Sequence, residues 1–258
     1  MHGLRRPVSL LPPSGGTDIL DALAMGRVEL AFQPAVRAGA VAAVGFFEGL
    51  ARLRLADGRL LTPGDILPVA DAAGRTAQLD RYVLRHALAT LESNPRLRLS
   101  VNVGLPTLGD AAWMTLLRRE AADRPGITDR LIVEVTELAV DDPGVTVPFT
   151  RALRMLGVGV VLDDFGAGHT AFRQFRELAL DGVKIDGAFC RGIATDRDAQ
   201  CLVRALVDIA RHFEMFTVAE YVETEADAAI LADIGVDYLQ GHLFGRPGPR
   251  PDLITPRR

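Results

Sequence analysis

The fold is decided by the stretch VGVVLDD, residues 158–164, an apolar run that ends in Asp163 and Asp164. A run this continuous fits a strand that is buried on both faces, as the strands of parallel sheets are. In α/β barrels the active site is built at the carboxyl ends of the strands. The stretch therefore predicts a parallel sheet and the edge of that sheet at which catalytic residues belong.

Strand and helix alternate along the chain on both sides of this stretch. Further strands are predicted at residues 97–103, 131–135, 182–185, 215–219 and 237–240, and helices at residues 18–26, 80–92, 111–122, 145–156, 172–178, 199–213 and 225–234. Strands separated by helices imply parallel pairing through crossover connections. Upstream, apolar runs at residues 28–36 and 40–55 are joined by so short a link that we expect an antiparallel hairpin. Eight strands thus predict an α/β fold, a modified TIM-type (β/α)8 barrel with an antiparallel first strand pair.

Size and composition are those of an ordinary globular protein. Of the 258 residues, 48% are hydrophobic and 24% charged, and no apolar run approaches the ~20 residues of a membrane-spanning helix. Residues 1–16 lack the apolar core of a secretory signal, so we predict a disordered tail there and one barrel domain over residues 17–258. Cys190 and Cys201 are too few for a disulfide framework or a zinc site, which is typical of a cytoplasmic protein.

Polar residues stand at the ends of six consecutive predicted strands, where a barrel brings them to one rim. They are Asn102, Glu134, Asp163, Asp164, Lys184, Asp186, Glu220 and Gln240. Taken singly, each has a structural alternative, such as turn formation for the amides, the first turn of a helix for the glutamates, or a solvated charge for the lysine. Taken together they predict a functional site.

An acidic ring of this kind needs cations, because carboxylates that lie close together repel one another and resist ionisation. Glu48, Glu134, Asp163 and Asp164, with the amide oxygen of Asn102, form an all-oxygen ligand set that favours Mg²⁺ or Mn²⁺. The adjacent aspartates suggest a carboxylate that bridges two metals, ~3.5–4 Å apart in such sites, and hence phosphoryl chemistry. The net charge of −4 argues against nucleic acid polymers as partners.

The segment FEGLAR at residues 47–52 resembles the signature of the EAL domain, the bacterial cyclic diguanylate (cyclic di-GMP) phosphodiesterase family. The resemblance covers roughly residues 17–248 and includes, in the family's order, QP at 33–34, VNV at 101–103, EVTE at 134–137, LDDFG at 162–166, KID at 184–186, AEYVE at 219–223 and QGHLF at 240–244. The DFG run also occurs in protein kinases, but the glycine-rich loop and catalytic loop of a kinase do not precede it.

The resemblance implies a hydrolase that uses Mg²⁺ or Mn²⁺, as two ions, to open cyclic di-GMP to linear pGpG. Metal binding would fall to Glu48, Asn102, Glu134, Asp163, Asp164 and Glu220. Catalysis would fall to Glu48, Lys184 and Glu220, with Lys184 orienting or activating the attacking water. Substrate contacts would fall to Gln33, Leu50, Arg52, Asp186 and Gln240, and Glu137 would anchor the loop after Asp164.

The sequence departs from the family pattern in three places, two single residues and one loop. Gly49 stands where the signature has alanine, and AGHTA at residues 167–171 replaces the usual hydroxyl-rich loop. Tyr221 stands where the family usually has glycine. If the backbone needs a positive φ at this position, tyrosine would be strained there and could misplace Glu220. These departures leave open a catalytically weak or inactive domain that acts as a cyclic di-GMP receptor or as a protein-interaction module.

Partners other than the nucleotide are expected from two sources. The resemblance implies a homodimer. The sequence contains no recognisable sensory, receiver or cyclase segment, so we expect a regulatory protein partner, the expression level or the oligomeric state to supply the input. No membrane partner is expected.

Overall fold

The computed structural model describes residues 13–39, 43–167 and 175–251. The strands are β1 Val28–Arg37, β2 Val44–Arg54, β3 Leu60–Leu61, β4 Leu99–Val103, β5 Leu131–Thr136, β6 Gly159–Phe165, β7 Gly182–Ile185, β8 Phe216–Ala219 and β9 Tyr238–Gln240. The helices are α1 Pro13–Ala24, α2 Pro63–Ala72, α3 Thr76–Ser93, α4 Leu105–Leu108, α5 Ala111–Asp123, α6 Pro143–Met155, α7 Gly187–Cys190, α8 Arg197–His212 and α9 Glu225–Ile234.

Eight of these strands close into a barrel. From β2 through β4 to β9 each strand pairs in parallel with the next, and β1 closes the ring by pairing with β2 and β9. Both pairings of β1 are antiparallel, and the two-residue β3 pairs antiparallel with the last two residues of β2. The predicted α/β barrel with an antiparallel first strand pair is therefore confirmed.

The parallel strands are buried on both faces, as their unbroken apolar runs predict. All four residues of β7 are buried, and four of the five in β4. Two of the long helices around the ring begin at side-chain N-caps: Asp196 accepts hydrogen bonds from two amides of α8, and Thr224 accepts one from an amide of α9. The caps fix where each helix begins relative to the strand before it.

Acidic residues also stand at the amino ends of the strands, where they bind backbone. Asp181, just before β7, accepts a hydrogen bond of 2.8 Å from the amide of Val160 at the start of β6. Asp237, just before β9, accepts bonds of 2.8 and 2.9 Å from the amide and hydroxyl of Thr217. Each carboxylate joins the first residues of two strands.

Several elements differ from the sequence-based expectation. Helix α1 begins at Pro13, four residues before the domain boundary predicted at residue 17, while the rest of the predicted tail, residues 1–12, lies outside the described residues. Helix α2 was not predicted, although Thr62-Pro63 followed by Asp65 is a helix start: the amide of Thr62 donates to Asp65 Oδ2 at 3.0 Å. The short helix predicted at 172–178 falls partly outside the described residues.

The described helices include none with both the length and the apolar character needed to span a bilayer.

Candidate active site

Lys184 is the centre of the site. Its Nζ lies 2.8 Å from Glu220 Oε1, 2.9 Å from Glu134 Oε2, 3.1 Å from Asp163 Oδ1 and 3.4 Å from Glu48 Oε2. The lysine is 1% exposed, so its ammonium is removed from solvent. One cation thus serves four carboxylates that come from different parts of the barrel.

Strand register places these groups side by side. Asn102 in β4 pairs with Glu134 in β5, and Thr136 in β5 pairs with Asp163 in β6. Gln33 in β1 pairs with Glu48 in β2. Because successive side chains of a strand alternate between its faces, these residues reach the interior together near one end of the barrel.

Glu48 is held by amides as well as by the lysine. Its Oε1 accepts a hydrogen bond of 2.6 Å from Asn102 Nδ2, and its Oε2 accepts one of 2.6 Å from Gln240 Nε2. Gln240 Nε2 also lies 3.4 Å from Gln33 Oε1, and Gln33 Nε2 donates to the carbonyl of Gly245 at 3.1 Å. The amides of Asn102 and Gln240 therefore orient the carboxylate of Glu48, and Gln33 contacts the second of them.

A second acidic group lies beside the lysine. One carboxylate oxygen from each of Asp163, Asp164 and Glu220 lies within 4.8 Å of the others. Asp164 takes φ of 58°, a left-handed conformation that is uncommon outside glycine and turns its side chain away from the regular strand direction. Consistent with this, the pairing of β6 with β7 is irregular between Leu162 and Phe165.

The pKa values of the site divide its carboxylates into two kinds. Burial acts to raise the pKa of Glu48, but the charge of Lys184 and the hydrogen bonds from Gln240 and Asn102 outweigh it, so the pKa lies below its ordinary value. Burial raises the pKa of Glu220 to about 8 and that of Glu134 well above its ordinary range, with repulsion from Asp163 adding to both. Burial also raises the pKa of Asp164, with repulsion from Asp163 next.

Lys184 stays protonated in this surrounding. Burial lowers its pKa, but attraction to Asp163, Glu134, Glu220 and Glu48 outweighs burial and raises the pKa well above its ordinary value. A single positive charge does not balance four carboxylates. Further positive charge at the rim would allow Glu134 and Glu220 to ionise.

The residues present fit divalent metal. Among the described residues, Glu134 Oε1 and Gln240 Oε1 are buried with no hydrogen-bond partner, and such atoms are costly unless something binds them. The donors are all oxygens, which suits Mg²⁺ or Mn²⁺. Unsatisfied oxygens beside a cluster of carboxylates are what an ion site requires.

A cavity of about 490 Å³ opens above these groups, a volume typical of small-molecule sites. Its floor contains Glu48, Asn102, Asp163, Asp164, Lys184, Glu220 and Gln240. One wall is apolar and comes from Pro63 and Leu67 in α2 with Leu79 and Val83 in α3. The cavity thus combines a charged floor with an apolar side.

The structure brings most of the predicted residues together, with three exceptions. Gln33 and Leu50 line the cavity, but the guanidinium of Arg52 donates to the carbonyl of Ala51 at 2.8 Å and is not part of the lining. The carboxylate of Asp186 caps α7 by accepting from the amide of Ala188 at 2.6 Å. Glu137 is buried near Asp164, whose pKa its charge helps to raise, but residues 168–171 of the loop it would anchor lie outside the described residues.

Other residues of the cavity were missed by the sequence reasoning. Tyr221, Glu223 and His242 line the cavity. Asp80 also lines it and accepts hydrogen bonds from the amide of Gly104 and the hydroxyl of Thr107. Burial raises the pKa of Asp80 to about 6. No motif separates Asp80 from the other residues of its helix, whereas Tyr221 was noticed only as a departure from a pattern.

This chain is similar to known proteins in sequence and in fold. The family model described as the EAL domain matches residues 17–247. The cyclic di-GMP phosphodiesterase NbdA of Pseudomonas aeruginosa is 35% identical over 243 residues, which are 90% of this chain and 30% of that protein. The bifunctional diguanylate cyclase/cyclic di-GMP phosphodiesterase MucR of the same organism is 31% identical over 244 residues, 92% of this chain and 36% of that protein.

The fold agrees with a ligand-bound neighbour. The solved structure of the PaMucR phosphodiesterase in a c-di-GMP complex superposes with a TM-score of 0.83 at 30% identity, covering 92% of this chain and 98% of that one. The chain spans about a third of the length of the two curated relatives.

Proposed function

Because this chain belongs to the EAL domain family, we propose that it is a metal-dependent phosphodiesterase that hydrolyses cyclic di-GMP to linear pGpG. The observation that carries the proposal is the position of Lys184, whose Nζ lies 2.8–3.4 Å from four carboxylates at the floor of an open cavity. Buried acids that share one cation are costly for folding, and a site that binds metal and phosphate accounts for that cost.

The residues that would hold metal are Glu48, Asn102, Glu134, Asp163, Asp164 and Glu220. The donor set is all oxygen, and its unsatisfied atoms include Glu134 Oε1. Bound divalent ions would supply positive charge for the phosphate and lower the pKa of water. Two Mg²⁺ or Mn²⁺ ions are the proposed cofactors.

The chain's own side chains bind and orient the substrate. Lys184 holds a fixed positive charge at the floor, where negative charge grows on the phosphate during attack. Gln240 and Asn102 keep Glu48 in one orientation through bonds of 2.6 Å. Leu50 and Gln33 contact the substrate from β2 and β1, and Arg52 and Asp186 reach it by rotating from their present hydrogen bonds.

The reaction consumes one water at one of the two phosphodiesters. The water oxygen forms a bond to phosphorus, and the bond from phosphorus to the 3′ oxygen breaks. The 3′ oxygen takes up a proton as it leaves, and pGpG retains the 5′ phosphate. No covalent enzyme intermediate is needed.

The test follows pGpG by chromatography after incubation with cyclic di-GMP and Mg²⁺ or Mn²⁺. We expect Glu48→Gln, which keeps the volume of the side chain, to lower the rate at least ~100-fold. Glu29→Gln is the matched control, since Glu29 lies in the adjacent strand and forms an exposed ion pair with Arg54. An inactive parent protein in both metals, or equal rates for parent and Glu48→Gln, would contradict the proposal.

A receptor that binds cyclic di-GMP without cutting it is the second candidate. It is favoured by Tyr221, which has φ of 53° and lines the cavity where the family usually has glycine. Calorimetry that detects nucleotide binding, combined with no pGpG, would support this candidate over the first. A protein-interaction module without nucleotide would bind no cyclic di-GMP under any metal condition.

A homodimer, a regulatory protein partner and a cytoplasmic location complete the proposal. Light scattering of the purified chain measures the first. Neither a nucleic acid polymer nor a membrane is among the proposed partners, in keeping with the net charge of −4.

A further inference from the structure

The backbone directly after β8 is strained at one residue. Tyr221 takes φ of 53°, in the left-handed region that residues with a side chain rarely adopt. The residue before it, Glu220, places Oε1 2.8 Å from Lys184 Nζ. The conformation of Tyr221 therefore sets the direction in which the chain presents a carboxylate of the site.

Hydrogen bonds fix the residues on either side of Tyr221. The amide of Glu220 donates to the carbonyl of Ile185 in β7 at 3.3 Å, and the amide of Val222 donates to that of Gln240 in β9 at 3.0 Å. The turn is thus attached to both neighbouring strands. A shift at Tyr221 would have to be absorbed by Glu220 or by Val222.

The side chain of Tyr221 lies against a glycine. A Cβ at Gly187 would overlap the ring, with Cγ of Tyr221 only 2.6 Å away and Cβ of Tyr221 2.9 Å away. These atoms are close to the backbone, so they cannot move aside as the end of a flexible side chain can. The φ of Gly187 is in the ordinary range, so the close approach, rather than backbone freedom, is what requires glycine there.

Arg191, the residue directly after α7, covers the ring. Its guanidinium carbon lies 5.1 Å from the ring centroid, within the range of a cation–π contact, and its Nε lies 3.8 Å from Glu223 Oε2. The ring thus lies between a glycine at the start of α7 and an arginine that follows its end. These contacts give Tyr221 one position although 44% of it is exposed.

We propose that Tyr221 and Gly187 act as a coupled pair that positions Glu220 for metal. The missing side chain at Gly187 makes room for the ring, and the seated ring holds the left-handed turn that directs Glu220 toward Lys184. The proposal rests on the proposed function only in taking Glu220 as a metal ligand. It holds equally for an enzyme and for a receptor.

The test is a double-mutant cycle with Gly187→Ala, Tyr221→Gly and the double variant, measured by Mn²⁺ calorimetry and by melting temperature without metal. We expect Gly187→Ala to weaken Mn²⁺ binding at least ~10-fold and to lower the melting temperature by several degrees, because the new Cβ displaces the ring. Tyr221→Gly should weaken binding only ~3-fold, since glycine permits the turn without fixing it. In that background Gly187→Ala should have no further effect.

Two control variants accompany the cycle. Gly109→Ala adds a methyl at a glycine with open space and negative φ, and should leave both measurements unchanged. Tyr221→Phe keeps the ring and should behave like the parent protein. If the penalty of Gly187→Ala persists without the tyrosine, or if Gly187→Ala has no effect on either measurement, the pair is not coupled and the proposal is wrong. Hydrolysis does not enter the comparison, so loss of coupling and lack of activity are distinguishable.

Discussion

The two ends of the barrel use acidic residues in opposite ways. At the amino ends of the strands, Asp181 and Asp237 each accept hydrogen bonds from backbone amides, and their carboxylates are not buried. At the carboxyl ends, Glu134 is 1% exposed and one of its oxygens has no hydrogen-bond partner among the described residues. Acidic side chains thus stabilise the fold at one end of the barrel and lower its stability at the other.

The difference teaches how to separate structural from functional carboxylates. Desolvation penalises an acid, and donors fixed in the chain offset that penalty. Where the chain supplies those donors, the carboxylate stabilises the fold and has a structural role. Where it supplies one lysine for four acids, Glu134 and Glu220 hold their protons more tightly, and a bound cation would allow them to ionise.

The sharpest test exchanges one acid for its amide at the carboxyl end. We expect Asp163→Asn to lower cyclic di-GMP hydrolysis at least ~1000-fold, since the carboxylate contacts Lys184 and lies in the acidic cluster. Its metal-free stability should change little, because the lost attraction to Lys184 is offset by the lost repulsion from the neighbouring acids. Steady-state rates and urea unfolding in EDTA measure the two effects, and a large loss of stability would place Asp163 with the structural acids.

The next largest effect should come from removing the shared cation. Lys184→Met leaves four acids without their positive partner, and we expect about 3 kcal/mol less stability in EDTA. Urea unfolding in Mn²⁺ should show a smaller loss, because bound ions replace part of the charge. Equal losses in EDTA and Mn²⁺ would mean that the ions do not occupy this rim.

The pH dependence sharpens the same comparison. The pKa of Glu220 is about 8 in the folded protein and 4.5 ordinarily, so the folded state holds its proton more tightly than the unfolded state does. Metal-free stability should therefore fall by on the order of 1–3 kcal/mol as pH rises from about 5 to about 8, and then level off. Melting temperatures across this range measure the slope.

Glu220→Gln is the control for that slope. It should reduce the slope of the metal-free protein without abolishing it, because the pKa values of Glu134 and Asp80 are also raised. Saturating Mn²⁺ should reduce the slope in the parent by favouring the ionised form. An unchanged slope in Glu220→Gln would assign the titration to another group.

The smallest effect belongs to the amino end. Asp237→Ala removes the acceptor of the Thr217 amide and hydroxyl, at a cost of about 1 kcal/mol in unfolding free energy. The rate per folded molecule should stay within ~2-fold of the parent. A larger loss of activity in folded protein would contradict the assignment of Asp237 to a purely structural role.

The barrel was predictable because each of its strands coincides with an apolar run in the sequence. Every predicted strand corresponds to an observed one, and the positions of Asn102 and Glu134 at strand ends were enough to assign both residues to one rim. Helix α2 was not predictable, since it is short, contains Pro68, and has only two buried residues to mark an apolar face. Its apolar contribution to the cavity wall went unpredicted with it.

Orientation within the site was less predictable than membership of it. Strand alternation puts Glu48 and Arg52 on the same face of β2, but it does not determine where a long guanidinium finds its acceptor. The carbonyl of Ala51 takes that role here. Likewise a tyrosine in place of glycine signals strain, but only three-dimensional contact reveals that Gly187 accommodates it.

The reversed direction of β1 changes how the barrel is attached to whatever precedes it. Val28, at the start of β1, pairs with Leu53 near the carboxyl end of β2, so the chain comes into the barrel beside the mouth of the cavity rather than at the opposite face. A parallel first strand of the same ten residues would move that point by about 33 Å. Helix α1 packs against α2, which forms part of the cavity wall, and the chain leaves β9 at this same face. A displacement of α1 would therefore be passed through α2 to the wall of the cavity.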